Sequence, residues 1–231
     1  MIGALTPGFA DIVGDAQACF RLLLDAIAHP GRVHEVRGVE SPAPLCEAAA
    51  SVVLTLMDHE TPLWLDQAAE AARPWIAFHT GAPVIADPAR AMFALALSLK
   101  DLIPGRDAGD ARSGPSRPGL SGPPPQAPAA TGGPDKPGHD GGEGLATGTD
   151  EAPETSATVI LQVASLTSGR DFILEGPGLR EPALLTVDGL PADFAETWQS
   201  NHALFPRGID LILCAGNQFA ALPRSVAVRD A

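Results

Sequence analysis

Asp58-His59-Glu60 is the densest group of potential metal ligands or proton carriers in the chain, and His79 could join it in space. Three consecutive helical residues point in different directions, so they do not easily converge on one ion. The triplet reads as a solvated helix end, and no metal is expected. Cys19, Cys46 and Cys214 are widely spaced and form no Cys-x-x-Cys pair. Neither a zinc knuckle nor a disulfide framework follows from that spacing; reduced, mostly buried thiols do. Gly176-Pro177-Gly178 lacks the strand-to-helix context of a phosphate cradle and reads as a turn leaving a strand. Schiff-base chemistry needs a desolvated lysine in a pocket. The only lysines are Lys100, beside Asp101, and Lys136, amid glycine and proline, so neither suits pyridoxal phosphate and no cofactor is expected. The chain has no GxxxxGK[ST], no GxSxG, no HExxH and no GxGxxG following a strand.

The elements that would position any site are mainly helical first and richer in strands later. Ala16, Phe20, Leu23, Leu24 and Ile27 share one helical face, predicting a first helix with that face inward. Asp15 fits its N-cap, and Pro30-Gly31 ends it. A second helix is predicted over 44–57, with Leu45, Ala49, Val52, Val53 and Leu56 inward. A short strand follows at 62–65, then a helical piece over 66–79 broken near Pro74. Thr158 to Leu166 is a continuous apolar run, suited to a strand covered on both faces. Asp171 to Glu175, after the Ser168-Gly169 turn, predicts a hairpin with it. Residues 191–202 read as helix. Ile209–Cys214 and Phe219–Leu222 read as strands joined at Gly216-Asn217. Interleaved helices and strands give an α/β or mixed α+β class.

Composition bounds the function. The chain has 231 residues, is 45% hydrophobic and carries a formal charge of −13, from 28 acidic and 15 basic side chains. That balance argues against nucleic acid, which is held by lysine and arginine neutralising phosphates. No basic segment precedes an apolar run at the N-terminus, and no apolar run approaches the roughly 20 residues of a membrane span. A cytoplasmic, soluble protein is expected. Between Pro104 and Asp150, 47 residues hold 12 of the 24 glycines and 9 of the 23 prolines, with no aromatic residue, valine or isoleucine. Such a stretch cannot bury enough apolar surface to offset the entropy of ordering it. We therefore expect one domain spanning 1–231, with a disordered Gly/Pro-rich loop at 106–144.

Several stretches together resemble the PhnH family of phosphonate metabolism. They include Asp15-Ala16-Gln17 leading into Phe20-Arg21-Leu22-Leu23, Thr61-Pro62-Leu63-Trp64-Leu65, and Phe78-His79-Thr80 before Ala82-Pro83. Val159 to Leu166, Gly169-Arg170, Gly208-Ile209-Asp210-Leu211-Ile212-Leu213 and Ala221-Leu222-Pro223-Arg224 continue the likeness in order. The stretch from about Arg106 to Glu143 departs from it, as an insertion into a loop that is usually shorter. The resemblance implies an α/β/α three-layer fold like that of pyridoxal-phosphate-dependent transferases, without the cofactor. It implies a homodimer that joins PhnG, PhnI and PhnJ, with PhnL acting on the complex. That complex replaces the adenine of ATP by an alkylphosphonate, giving a ribose 1-phosphonate triphosphate, before PhnJ breaks the carbon–phosphorus bond.

Within those stretches five polar residues are candidates for binding or interface roles: Asp15, Arg21, His79, Arg170 and Asp210. Arg21 and Arg170 have the bidentate guanidinium fork that suits phosphate or phosphonate oxygens. His79 can exchange a proton near neutral pH. Each also has a structural reading: Asp15 as a cap, Arg21 in a helix-surface ion pair, Asp210 as a strand-end hydrogen bonder. Two functions remain open, a partner subunit of a multi-subunit transferase and a stand-alone hydrolase or transferase for an organophosphorus compound. The loop expectation is directly testable, because proteases cut first at exposed loop tips. Brief trypsin treatment should nick at Arg106 or Arg112, since Arg117 and Lys136 each precede a proline that blocks trypsin, and leave two stable fragments; protection of both sites would refute it.

Overall fold

Strands with no polar face organise the molecule. In β5 (Thr158–Gln162) Val159 and Leu161 enter one core while Ile160 enters another. β8 (Asp210–Ala215) divides likewise, with Leu211 and Leu213 on one side and Ile212 and Cys214 on the other. The two pair in parallel, Ile160 opposite Ile212. β4 (Phe93–Ala96), β2 (Leu63–Leu65) and β3 (Val84–Ile85) continue the parallel array beyond β5. Beyond β8 come two antiparallel strands, β9 (Gln218–Leu222) and β1 (His34–Glu35). The seven-stranded order is β1-β9-β8-β5-β4-β2-β3. This computed structural model describes residues 6–37, 39–99 and 144–231. Apart from Gly144, the Gly/Pro-rich loop read at 106–144 lies outside them.

Both faces of such a sheet must be covered. One carries α1 (Ile12–Ala28), α2 (Glu47–Leu56) and α3 (Arg73–Thr80). α2 is buried at every position from Ala48 to Val53, as a helix apolar all round must be. Gln162, at the carboxyl end of β5, fastens its start: the Cys46 amide donates to Oε1 (2.8 Å) and Nε2 donates to the Pro44 carbonyl (3.1 Å). The other face carries a three-stranded antiparallel sheet, β10 (Ala227–Asp230), β6 (Ser165–Glu175) and β7 (Ala183–Asp188), together with α4 (Phe194–His202). There Phe172 meets Phe194 edge-on, with ring centroids 5.4 Å apart, and the Trp198 indole N–H donates to the Val226 carbonyl.

The α/β class read from the sequence is therefore present, with three layers of which the third is mostly β rather than helical. Four local expectations need correction. Thr158–Leu166 and Asp171–Glu175 do not form a hairpin: β5 already has β4 and β8 on its two edges, so β6 crosses into the second sheet. The N-cap of α1 is Asp11, whose carboxylate accepts the Gly14 amide (3.0 Å); Asp15 reaches back one turn to accept the Asp11 amide (3.0 Å). Pro74 sits in the first turn of α3, where its missing N–H costs nothing, and does not break it. Of the five residues predicted inward on α1, only Leu23 is buried; the inner row is Cys19, Leu23 and Ala26. In that row Leu23 is flanked by the smaller Cys19 and Ala26, and α1 packs there beside the alanine-rich α2.

β6 contains an irregularity between Ser165 and Arg170, where its register against β7 shifts. Gly169 sits there with φ 115°, and a Cβ at that position would stand 2.6 Å from the Asp188 backbone. Gly169→Ala should therefore cost about 1–3 kcal/mol. Urea unfolding checks this, and an unchanged midpoint would show that the bulge has slack.

Candidate functional site

Four of the five candidates are committed to partners within the chain. Arg170 leaves the bulge in β6 and donates to the carbonyls of Pro191 and Ala192 (3.0 Å each) and to the Asp230 carboxylate, with its guanidinium carbon 5.2 Å from the Phe172 ring centre. It closes the joint between the second sheet and the turn into α4. Asp210 starts β8 and grips Arg224: Oδ1 accepts the Arg224 amide (2.7 Å), and both oxygens take the guanidinium. Arg224 also donates to the Pro153 carbonyl (2.9 Å), pinning the chain that enters β5. His79, on α3, holds the Thr6 carbonyl through Nε2 (3.1 Å), as does the Trp75 indole N–H (2.9 Å), and its ring packs between Trp75 and Phe78. Asp15 reinforces the cap of α1.

Arg21 differs. It projects from the exposed side of α1 and has no hydrogen-bond or ion-pair partner among the described residues. α1 packs on one face of the large sheet and β6 on the other, so Arg21 and Arg170 are not brought together. One anion cannot bridge the two within a single chain.

Two polar features escaped the sequence reading. One is Arg224, the last residue of the Ala221-Leu222-Pro223-Arg224 stretch and not among the five candidates. The Gly216-Asn217 turn places Leu211 opposite Leu222 and hence Asp210 opposite Pro223, one residue from Arg224, so hairpin register was the available signal. The other is a cluster at the end of α1. Asp25 takes Arg32 (2.7 Å) on Oδ2 and His29 Nδ1 (3.0 Å) on Oδ1, and His34 Nε2 lies 3.1 Å from Oδ2 at an angle too bent for a good hydrogen bond. The Arg32 hydrogen bond, helped by the nearby charges and opposed by desolvation, holds the Asp25 carboxyl below the usual carboxylate value. A depressed value means that this cluster steadies the fold above the ordinary aspartate range and weakens as pH falls through it. Asp25-x-x-x-His29, one helical turn apart, was its signal.

The carboxyl ends of the parallel strands are where open α/β sheets tend to place ligands, at the point where successive connections diverge. Here that point lies between β2, which leads outward to β3, and β4, which leads inward to β5. Asp66, just after β2, is spent on the backbone there, accepting the amides of Ala69 and Leu97 (2.7 Å each). A hollow of about 380 Å³ lies elsewhere, lined by Pro62, Ile85, Ala86, Asp87 and Arg90, and Asp87 is occupied by the Ala89 amide. The cysteines offer no thiolate: burial pushes all three thiols up, Cys214 furthest. His59 and Glu60 are strongly exposed, and among the described residues no three His, Cys, Asp or Glu side chains converge to hold a metal. No helix among those residues is long and apolar enough to cross a membrane. The geometry offers rigid joints and an exposed cation rather than an assembled nucleophile and base.

Comparison with known proteins adds what geometry cannot. The family described as "Bacterial phosphonate metabolism protein (PhnH)" matches residues 7–114 and 136–229. Over 220 residues the chain is 36% identical to the alpha-D-ribose 1-methylphosphonate 5-triphosphate synthase subunit PhnH of Rhizobium meliloti (strain 1021), covering 94% of this chain and 92% of that one. It is also 36% identical over 81 residues to a candidate C-P lyase subunit protein, HtxG, of Stutzerimonas stutzeri, covering 35% of this chain and 42% of that one.

If the Asp210–Arg224 pair is structural and Arg21 is not, their removal must differ in effect. Asp210→Ala, which strands a largely buried guanidinium, should cost about 2 kcal/mol or more. Arg21→Ala should stay within about 0.5 kcal/mol of the parent. Chemical denaturation of both variants decides it, and equal losses would contradict the assignment.

Proposed function

The chain belongs to the PhnH family of bacterial phosphonate metabolism proteins, and from that premise we propose that it acts as a non-catalytic, binding and scaffolding subunit of a carbon–phosphorus lyase complex. In that role it supports formation of alpha-D-ribose 1-alkylphosphonate 5-triphosphate from ATP and an alkylphosphonate. The observation that carries the subunit reading is the internal commitment of Asp15, His79, Arg170 and Asp210. A transferase handling a triphosphate unaided needs several cationic or backbone groups aimed at the transferring phosphoryl. Arg21, unpaired among the described residues, suits a carboxylate or phosphonate presented by another subunit. PhnG, PhnI and PhnJ are the partners this family membership suggests, with PhnL acting on the complex and a second copy of this chain completing a homodimer. The cytoplasm, where ATP is available, fits that role.

Two finer points belong to the same proposal. The mostly parallel sheet with helices packed on it supports a relationship to pyridoxal-phosphate-dependent transferases, and a chain whose only lysines are Lys100 and Lys136 would have lost the cofactor. The break in the family match between residues 114 and 136 supports one PhnH-like domain over 1–231 that carries an insertion.

Adenine release from ATP and methylphosphonate tests the reading directly, using the chain alone, PhnG, PhnI and PhnL together, and all four proteins. Release should require the partners and rise when this chain is added. Release by this chain alone, at the rate of the full set, would instead establish a stand-alone transferase.

A further inference from the structure

The two sheets have four outer strands, and three of them are short or covered. β1 and β3 are two residues each, and Arg73 donates to the Val84 carbonyl (3.5 Å) on the outer side of β3. β10 has four residues and lies beside α4, whose Trp198 indole N–H donates to the Val226 carbonyl just before it. β7 is longer, at six residues, and its register against β6 runs unbroken from Ala183 to Val187. It carries no lysine, proline or bulge of its own, the devices that blunt an edge. The ladder decides which of its backbone groups stand free. The Ala231 amide donates to the Asp171 carbonyl, so Asp171 and Ile173 turn their amides and carbonyls toward β10, while Phe172 and Leu174 turn theirs toward β7. Phe172 lies opposite Leu185 and Leu174 opposite Ala183, so Leu185 and Ala183 complete those bonds. Leu184 and Thr186 therefore point their amides and carbonyls away from β6, where they take no partner among the described residues.

We infer that the free edge of β7 takes an extended segment of a different protein as a fourth strand of the small sheet. Strand addition draws its affinity from main-chain hydrogen bonds and its selectivity from alternate side chains. Leu185 and Val187 are buried, whereas Leu184 is 59% exposed on the outer face. The incoming strand therefore sets apolar side chains beside Leu185 and Val187, and a further one beside Leu184. Glu181 and Asp188 stand at the two ends of this edge, exposed and without an ion-pair partner among the described residues. They call for lysine or arginine at both ends of the segment. A second copy of this chain fails that requirement. Antiparallel pairing of β7 with itself about Leu185 sets Glu181 beside Asp188 of the second copy, like charge against like. The inference rests on the partner-subunit reading above and adds the surface and the kind of segment that surface takes.

The probe is a capped, fluorescently labelled Lys-Val-Thr-Val-Thr-Val-Lys peptide, with Lys-Val-Thr-Pro-Thr-Val-Lys as a control of equal charge. The full chain should bind the first about tenfold more tightly than the second, since proline removes a ladder donor. Binding should slow hydrogen exchange at the Leu184 and Thr186 amides about tenfold and leave the Val84 amide at the β3 edge unchanged. Thr186→Pro removes only an outward-facing amide, so it should fold and yet lose about tenfold in affinity for the probe. A double variant, Glu181→Lys with Asp188→Lys, alters exposed side chains alone and should lose affinity likewise, which covers the case in which the proline variant does not fold. Absent or equal binding of the two peptides, unchanged exchange at Leu184 and Thr186, or full affinity in both variants would overturn the inference. Self-association abolished by Thr186→Pro would assign the edge to a second copy and overturn it equally. Capture of PhnG, PhnI and PhnJ is scored separately. The parent should retain them and Thr186→Pro should not. Equal capture by both would overturn the assignment of β7 and leave the proposed function standing. No capture by the parent would count against the proposed function, and the peptide and exchange results would still decide β7.

Discussion

Two-sided burial of β5 and β8 is the constraint from which the architecture follows. Neither strand has a polar face, so each residue along them must be covered from above or below. Helices α1 to α3 cover one side, and the small antiparallel sheet with α4 covers the other. The parallel pairing of these strands also forces long connections, and β6, β7 and α4 are the connection between β5 and β8. One requirement thus sets the layer order, the topology and the position of the second core.

Polar groups are used sparingly and mostly at joints. Gln162 ties the carboxyl end of a central strand to the start of α2, Asp210 and Arg224 lock a hairpin to the segment before β5, and Arg170 clasps the turn into α4. Buried Asn201 belongs with them, donating to the Ile209 carbonyl and accepting its amide. Each satisfies groups that would be costly to leave unpaired away from water. Chemistry on a phosphonate would need such groups free and convergent, and here they are separated and occupied.

The surface of α1 is unusual. α1 keeps two apolar rows, Cys19, Leu23 and Ala26 facing inward and Val13, Phe20, Leu24 and Ile27 facing outward, and burial within the chain explains only the first. Arg21 stands at the edge of the second. Arg21 and this exposed apolar row therefore share a helix flank, away from the joints that hold the fold.

Local information determined a good part of this protein. Apolar runs gave the central strands, the Gly216-Asn217 turn gave the β8–β9 hairpin, and the composition of 104–150 marked it off from the rest. These signals depend on neighbours in sequence. The motifs that carry the family likeness were also legible, because they are read in order along the chain. Pairing choices were not. Whether β6 would return to β5 depended on whether β5 had a free edge, and β4 and β8, remote in sequence, had taken both. The roles of Arg170 and Asp210 depended on partners at Asp230 and Arg224, which become neighbours only when strands pair. Periodicity showed that α1 has an apolar stripe but not which core it serves, because a helix with two apolar rows satisfies the same pattern in either rotation. Tertiary packing chose the row of Cys19, Leu23 and Ala26, which carries less bulk at Cys19 and Ala26 than the outer row does at Phe20 and Ile27.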